Sequence, residues 1–422
     1  MANNVASNFT EKLMRKAMPY FESQRVLSKN VNTQYVEGEF GRDSGDFVSV
    51  TRPLDHAAIE TSDGDLSSST TSPIIAGKAK ATVQDYITVY MDIKEANQAL
   101  EYADQNRLTE IPAMNRLVTR LETNFAKFAM KNTSLLAGTV GTAVSTWGHV
   151  AGAAAVARST GIPTDKLCCF LNPYAEVALA DQQRGLGVNP QAGDANAMAT
   201  IKENFAGMKV MTATTLGSYT TGTGADRAGT LSGTPTATYL AAKDSMTQTI
   251  SVTAFQANLV VAAGETITVT GRNRLNLSTR EQFLDAAGAA VLFSGTVTET
   301  VTLNGSGAGD LVITGPGIFE SGGAYNTVAS ALTTGDIVTL GGAATTVIQP
   351  NLFWHKDAFT IASVPMERLS AQDTFFKTKD GLQVRCSQGS DIIANKQIIR
   401  FDIRPAFGVM NPFFAGKVFG TA

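Results

Sequence analysis

The sequence predicts an α+β protein with a separate all-β unit inserted into it. One long segment, over 109–136, places apolar residues at helical spacing, and several shorter segments alternate apolar and polar residues as strands do. A third observation is a Thr- and Gly-rich stretch over 222–347, which holds none of the three His, three Cys or two Trp residues. At roughly 100–200 residues per domain, a chain of 422 residues has room for two or three units.

The chain carries unusually few charges. It has 34 Lys and Arg against 37 Asp and Glu, a net charge of −3, and 17% of its residues are charged. Ordinary soluble domains have about 25%. This balance argues against a nucleic-acid-binding protein, which needs clustered Lys and Arg, and against a disordered chain. Two explanations fit equally well: burial against other chains, or a β-rich domain built from Thr, Val and Gly.

Residues 1–35 predict an N-terminal arm. Phe9, Leu13 and Ala17 recur at helical spacing, and Pro19 interrupts the run. A helix this short is marginal in isolation, so it needs a surface to pack on, either its own domain or a neighbouring chain. Charged residues interleave with the apolar ones, so we expect no signal peptide there, and no segment of the chain has the roughly 20 apolar residues of a membrane-spanning helix.

The segment over 36–92 predicts a hairpin with a long polar tip. Residues 46–52 and 81–93 alternate apolar and polar side chains and are rich in β-formers. Between them, residues 60–73 carry almost no apolar side chain. Such a tip has no core of its own, so we expect either a mobile loop or one that a partner orders.

The strongest helix prediction covers 109–136, within a segment over 93–144. Met114, Leu121 and Phe125 mark one apolar stripe, and basic residues lie off it. At 1.5 Å per residue, this helix would be a rod about 40 Å long.

The segment over 145–221 predicts mixed α and β structure. Its pattern indicates strands over 166–171 and 208–212, and helices over 174–184 and 197–205.

The composition then shifts. Glycines open the stretch over 222–347, small residues close it, and several Thr/Val alternations lie between them. This pattern predicts a β domain inserted between two parts of another domain. The last segment, over 348–422, returns to mixed structure with a β-rich run over 392–403.

Nothing in the sequence predicts a catalytic or metal site. The three His residues are dispersed, and Cys168 and Cys169 have no second close pair, so neither a zinc site nor a disulfide framework is expected. The glycines over 305–310 join two predicted strands and open no helix, which indicates a hairpin turn rather than a phosphate loop. Asp63 and Asp65 lack the other ligands of an EF-hand. We therefore predict a protein that is not an enzyme and binds no cofactor and no metal.

Four short motifs resemble those of a known family. The most specific is Asn-Leu-Phe-Trp-His-Lys-Asp-Ala-Phe over 351–359. Phe-Leu-Asn-Pro over 170–173, the strand entry over 264–271 and Arg-Pro-Ala-Phe-Gly-Val over 404–409 accompany it in order. Together they resemble the major coat proteins of short-tailed, double-stranded-DNA bacteriophages, in which the tailed-phage capsid fold carries an inserted β domain.

The resemblance implies a role for each segment. These roles are an N-terminal arm over 1–35, an extended loop hairpin and the start of a peripheral domain over 36–92, the peripheral domain with a spine helix over 93–144, an axial domain over 145–221, an inserted barrel-like domain over 222–347, and a return through the axial and peripheral domains over 348–422.

The resemblance also implies a function and partners. Copies of the chain would form the pentamers and hexamers of an icosahedral head, assembled in the host cytoplasm on a scaffolding protein and then expanded during maturation. Its partners would be itself, the scaffolding protein, a portal protein and packaged DNA held without sequence-specific contact, with no membrane involved. The alternative is a β-rich surface or adhesin-type protein, for which a secretion signal would be expected.

Ten charged residues are our candidates for contacts between subunits. They lie in the arm, at the polar tip and its flanks, and in a loop of the inserted domain. They are Glu11, Lys12, Arg15, Lys16, Asp63, Asp65, Lys78, Lys80, Lys243 and Asp244.

Overall fold

The computed structural model describes most of the chain. The described residues are 5–34, 40, 45–56, 58, 60–65, 67, 74–94, 111–184, 198–369, 373–391, 393 and 396–421. They divide into two compact units, each assembled from separate parts of the chain. The first comprises Met1–Val50, Lys80–Ala126 and Phe359–Gly408; the second comprises Thr51–Ala79, Lys127–Ala358 and Val409–Ala422.

Helices and strands are numbered along the chain. The helices are α1 Val5–Gln24, α2 Ile111–Lys131, α3 Trp147–Ser159, α4 Pro173–Arg184 and α5 Tyr239–Ala242. The strands are β1 Phe47–Thr51, β2 Lys78–Val83, β3 Ile87–Lys94, β4 Leu135–Ala137, β5 Leu167–Leu171, β6 Asn204–Phe205, β7 Met208–Thr212, β8 Tyr219–Thr220, β9 Ala228–Leu231, β10 Thr247–Thr253, β11 Val260–Val261, β12 Thr266–Asn273, β13 Leu292–Val297, β14 Val301–Thr302, β15 Gly309–Thr314, β16 Ile337–Leu340, β17 Val347–Ile348, β18 Asn351–His355, β19 Phe359–Ser363, β20 Thr374–Lys377, β21 Gln383–Asp391, β22 Lys396–Ile403, β23 Pro405–Val409 and β24 Ala415–Val418.

The first unit is built on two four-stranded sheets. One has the strand order β1-β2-β23-β19 and the other the order β20-β21-β22-β3. Helix α1 packs on β20 and β21 through its buried residues, among them Met14, Ala17 and Phe21. This part of the predicted arm is therefore docked on its own domain.

Helix α2 supplies the apolar stripe that its sequence predicts. Leu117, Leu121 and Phe125 are fully buried. The ring of Phe125 meets the rings of Phe359 and Phe407 edge-on, with centroids 6.1 and 5.4 Å apart.

The second unit contains a six-stranded mixed sheet with the order β4-β24-β18-β5-β7-β6. Strands β5 and β7 are parallel, and the chain between them includes α4, as a parallel connection requires. Val150 and Ala154 of α3 and Leu179 of α4 belong to the apolar core of this sheet. Phe170 of β5 stacks on Trp354 of β18, with ring centroids 4.2 Å apart.

The second unit also contains a closed six-stranded barrel. Its strand order is β10-β15-β13-β12-β16-β9, and its pairs are antiparallel. The interior is a core of its own, with Ile250, Val269, Phe293, Ile313 and Val338 fully buried. The predictions of an α+β class and of an inserted β-barrel are confirmed.

The predicted spine helix is too long at its C-terminal end. Helix α2 ends at Lys131, and Leu135 and Leu136 lie in β4, which pairs in parallel with β24. Apolar residues of this kind suit a buried strand as well as a helix, and the sheet decides between them. Residues 109 and 110 lie outside the described residues.

Two other predicted elements are wrong. The single strand over 81–93 is two strands, β2 and β3, which belong to different sheets. The helix predicted over 197–205 does not continue beyond Met198, and Asn204–Phe205 form β6, which makes a hairpin with β7. Ala206 and Gly207 join these strands with φ of 52° and 80°, the left-handed conformation of a tight hairpin turn. Residue 197 lies outside the described part of the chain.

Glu122 is the polar exception on the buried face of α2. Its carboxylate accepts hydrogen bonds from the backbone N–H groups of Val26, Leu27 and Ser28, at 3.2, 2.6 and 3.1 Å. The hydroxyl of Ser28 also donates to it. Glu122 is 2% exposed, so water does not reach this turn. The carboxylate supplies the hydrogen-bond acceptors that the three N–H groups need in a buried position.

We predict that Glu122→Ala lowers the free energy of unfolding by about 3 kcal/mol, because three backbone donors lose a charged acceptor in a buried position. Urea denaturation followed by circular dichroism measures this change. Arg120→Ala is the matched control: Arg120 is exposed on the same helix, so its loss should cost less than about 0.5 kcal/mol. Equal effects of the two substitutions would contradict the assigned role of Glu122.

Candidate functional site

The structure brings three of the ten candidate residues together where the two ends of the extended loop meet. We call this place, around Arg52, Gly77 and Lys78, the loop root. The loop leaves from the end of β1 and returns at the start of β2. The N–H of Arg52 donates to the carbonyl of Gly77 at 2.9 Å and so closes this root. Lys78 follows at once, and Lys243 and Asp244 of the barrel domain lie against it.

Arg52 holds the root through its side chain. Its Nε donates to the carbonyl oxygen of Lys243 at 3.0 Å, and its other nitrogens donate to the carbonyls of Val409 and Met410. Burial lowers the pKa of Arg52 to about 10, so the guanidinium remains charged at neutral pH. A buried cation that donates to several carbonyls fixes these segments relative to one another.

Asp244 contributes a second contact. Its carboxylate accepts the backbone N–H of Lys78 at 2.9 Å and the ammonium of Lys243 at 3.0 Å. Gly77 makes this approach possible, since a Cβ there would lie 2.6 Å from the carbonyl oxygen of Lys243 and 2.9 Å from the hydroxyl of Tyr239. Only glycine fits at this distance.

A third contact involves Asp55, three residues after Arg52 in the loop. Asp55 forms an ion pair with Arg280, and its N–H donates to the hydroxyl of Tyr325 at 2.9 Å. Arg280 also donates to the carbonyl of Asn326 at 2.7 Å, and Tyr325 stacks on Tyr239 with ring centroids 3.7 Å apart. The barrel domain therefore holds the loop root at separate points.

The other loop candidates lie apart from this cluster of contacts. Asp63 accepts the N–H of Asp65 at 3.0 Å, and Asp65 accepts the N–H of Ser67 at 2.8 Å. This second hydrogen bond is the main cause that lowers the pKa of Asp65. Both carboxylates are exposed. The ammonium of Lys80 lies 5.0 Å from the ring centroid of Phe47, a cation–π contact within the first unit.

Three of the four arm candidates, Glu11, Arg15 and Lys16, form a charged surface on α1. Glu11 and Arg15 make an ion pair of 2.7 Å one helical turn apart, and Arg15 and Lys16 are exposed. The side chain of Lys12 lies outside what the structure describes.

The described residues contain no cluster of His, Cys, Asp or Glu that would hold a metal ion. His149 accepts the N–H groups of Ser145 and Thr146 at the start of α3, which is a capping role. Burial raises the pKa of the Cys168 and Cys169 thiols to about 11 and 12, so neither forms the reactive thiolate at neutral pH.

The glycine-rich turn after β14 is closed on itself. The carboxamide oxygen of Asn304 accepts the N–H groups of Ser306 and Ala308, both at 2.9 Å. The N–H groups of Ser306, Gly307 and Ala308 therefore already have partners within the turn. None of the helices that the structure describes is long and apolar enough to cross a membrane.

Sequence reasoning selected Lys78, Lys243 and Asp244 but missed the residues that hold them. Arg52 and Asp55 precede the polar tip and resemble ordinary surface charges in the sequence. One signal in the composition is that Tyr239 and Tyr325 are the two tyrosines of the stretch over 222–347. Their contacts with the loop root join residues 162 and 270 positions apart, Gly77 with Tyr239 and Asp55 with Tyr325, which no local pattern reveals.

The chain matches one protein family over almost its whole length. The model of the family described as P22 coat protein, gene protein 5, matches residues 1–420. A major capsid protein of Acyrthosiphon pisum secondary endosymbiont phage 1 is 32% identical over 427 residues, with all of both chains covered. Among solved structures, Mycobacterium phage Che8 gives a TM-score of 0.46 at 10% identity, covering 93% of this chain and 90% of that one. The capsid of cyanophage P-SCSP1u gives 0.43 at 11% identity, covering 90% and 85%.

We predict that Arg52→Ala loosens the loop root, because the carbonyls of Lys243, Val409 and Met410 lose their buried donor. The free energy of unfolding should fall by about 2–3 kcal/mol, and protease cleavage between residues 56 and 77 should become faster. Limited proteolysis followed by mass spectrometry measures the second effect. Lys80→Ala is the control and should leave the cleavage rate unchanged. An unchanged rate in Arg52→Ala would contradict the assigned role.

Proposed function

Because the chain belongs to the P22 coat protein family and is a phage major capsid protein, we propose that its copies form the pentamers and hexamers of an icosahedral head around double-stranded DNA. The observation that carries this proposal is the family match over residues 1–420. The family consists of structural coat proteins of the virion, so the function is assembly rather than catalysis. The adhesin-type alternative has no observation in its favour.

Exposed apolar side chains support contacts between copies. Tyr174 and Val177 lie one turn apart on α4 and are 87% and 52% exposed. Trp147 begins α3 and is 56% exposed. Its backbone N–H donates to the carboxamide oxygen of Gln182, near the end of α4, at 2.9 Å. Large exposed apolar residues on neighbouring helices are typical of surfaces that another protein covers.

The loop root supports the same proposal. The polar tip carries little that would bury against its own subunit, yet its root is fixed by buried and ionic contacts with the barrel domain. A fixed root with a polar tip is the arrangement expected of a segment that reaches a neighbouring subunit. Weak contacts of this kind multiply in a closed lattice, because each subunit makes them with several neighbours.

In this proposal the segments keep the roles given by the resemblance. Residues 1–35 form the arm, 36–92 the extended loop hairpin and the start of the peripheral domain, 93–144 the peripheral domain with its spine helix, 145–221 the axial domain, 222–347 the inserted domain and 348–422 the return through the axial and peripheral domains. Assembly takes place in the host cytoplasm on a scaffolding protein, with a portal protein, and expansion follows during DNA packaging.

We predict that the full-length chain, expressed with its scaffolding protein, forms closed shells visible by electron microscopy.

Reversing the exposed charges of the arm, as in Arg15→Glu with Lys16→Glu, should reduce the yield of shells without unfolding the subunit. The exposed surface of α1 would lose its positive charge for a scaffold or neighbour contact, while its buried surface stays intact. Circular dichroism checks the fold.

The control for this experiment is the charge-preserving pair Arg15→Lys with Lys16→Arg, which should assemble normally. A chain that remains strictly monomeric under all conditions would contradict the proposed function. Normal shells from the reversed variant would contradict only the role of the arm.

We also propose that Lys243, with Asp244, contributes to contacts between capsomers. Lys243→Ala removes the ammonium but keeps the carbonyl that Arg52 uses. Shells of this variant should dissociate at lower urea concentration, while unfolding of the free subunit changes by less than about 0.5 kcal/mol, since the Lys243–Asp244 pair is partly exposed. Light scattering measures dissociation. Shells as resistant as the unmodified ones would exclude this role.

A further inference from the structure

The barrel and the six-stranded sheet of the second unit meet at a seam lined with polar groups. Their apolar cores have no residue in common. On the sheet side the seam presents Ser134, next to β4, and Lys417 of β24. On the barrel side it presents residues at the start of β12 and in β13. We call this surface the barrel–sheet seam.

Lys417 is at the centre of the barrel–sheet seam and is fully buried. Its backbone belongs to the sheet, in register with Leu352 of β18 and Leu136 of β4. Its ammonium crosses to the barrel and donates to the carbonyl of Gly264 at 2.6 Å. The hydroxyls of Thr266 and Thr296 lie 3.3 Å from the same nitrogen.

A second buried cation crosses the seam in the opposite direction. Arg274, which follows β12, donates to the carbonyl of Ser134 at 2.9 Å and to that of Ser294 at 2.6 Å. The hydroxyl of Ser294 donates to the same carbonyl of Ser134 at 2.8 Å. Burial lowers the pKa of Arg274 to about 10, so this contact keeps its charge at neutral pH.

The charged and titratable groups around Lys417 are few. Glu265, at the start of β12, is the charged group that favours the ammonium, but it is already paired with Arg227. The ring of Tyr219 lies 5.6 Å from the ammonium, and burial raises the pKa of its hydroxyl, which therefore stays neutral. The neighbours Leu352 and Leu136 are apolar.

Desolvation is consequently the largest influence on Lys417. It lowers the pKa of the ammonium to about 7, against about 10.4 for a lysine in water. The sign follows from linkage. Above pH 7 the closed seam holds a neutral amine, whereas an opened seam exposes a lysine that takes up a proton. Lower pH therefore favours opening of the seam, and higher pH opposes it. This pH dependence extends up to the pKa of the exposed lysine, about 10.4.

We propose that the barrel–sheet seam is a proton-dependent joint, in which hydration and protonation of Lys417 release the barrel from the sheet while the separate core of each stays folded. The geometry supports this because the groups that bond to Lys417 and Arg274 across the seam are polar, so water can replace the partners of Lys417 once the barrel moves. An apolar seam would oppose entry of water over its whole area. This inference concerns the single subunit and does not rest on the proposed function.

The test is hydrogen exchange of the full-length chain, followed by mass spectrometry between pH 7.5 and 9. After correction for the intrinsic exchange rate, opening of the segments around 132–137, 262–268 and 415–420 should fall by about tenfold per pH unit. In Lys417→Met, which keeps the length of the side chain without the amine, this pH dependence should disappear. Segments 167–171 and 208–212, away from the seam, serve as the internal reference.

A second variant separates titration from packing. Thr296→Val removes one acceptor but keeps the lysine, so its seam should open more often with the same pH dependence as the unmodified chain. The proposal is overturned if the pH dependence persists in Lys417→Met, if the unmodified chain shows none, or if the reference segments show the same dependence. It is also overturned if Thr296→Val abolishes the pH dependence.

Discussion

The fold of the second unit depends on bringing together the two ends of the inserted domain. Strands β8 and β17 pair at its neck, with Tyr219 opposite Ile348 and Thr220 opposite Val347. Immediately afterwards β18 enters the six-stranded sheet between β5 and β24. A strand from after the insertion thus completes a sheet begun before it. Without the neck, closing a loop of more than a hundred residues would oppose this pairing with its full entropy cost.

The neck also explains why the unit has two cores. The sheet buries Phe353 and Leu171 in one apolar cluster, and the barrel buries Phe293 and Ile313 in another. Between them lie hydrogen bonds of Arg274, Ser134 and Lys417. Apolar area holds each part together, whereas directional polar contacts set the angle between the parts. The barrel is therefore positioned by a few specific bonds, and so is the root of the extended loop, which the barrel holds through Arg52 and Asp244.

Local sequence patterns predict much of this fold, because they reflect which surface each helix or strand buries. The stripe of α2, the apolar β5 and the Thr/Val alternations of the barrel all predict their elements, and the resemblance carried by residues 351–359 is confirmed by the full-length family match. The failures have one cause. Leu135 and Leu136 continue the helical pattern, but pairing with β24 makes them a strand.

The contacts at the loop root are harder to predict for the same reason. Lys243 and Asp244 stand out as a charged pair in a domain with few charges, and they do meet the loop root. Arg52 gives no such signal, because its carbonyl partners are defined only by the folded chain. Lys417 is still less visible: it lies between Gly416 and Val418 and would be read as one exposed position of an edge strand. Buried basic side chains of this kind are recognised only once their acceptors are in place.

Buried basic and acidic side chains reduce the number of charges that the subunit presents at its surface. Of 34 basic and 37 acidic residues, six basic and four acidic side chains are buried in the described part of the chain. They are Arg25, Arg52, Arg227, Arg274, Arg385, Lys417, Glu122, Glu265, Asp373 and Asp402. The number of charged side chains at the surface is thus lower than the sequence total by these ten. Copies of such a subunit approach one another with little long-range repulsion, because the net charge is close to zero. In the proposed shell, their contacts would depend on apolar side chains such as Tyr174 and on the geometry of the loop root, both of which act only at short range. A closed shell benefits from this arrangement, since short-range contacts reward correct placement and contribute little to subunits that meet in other orientations.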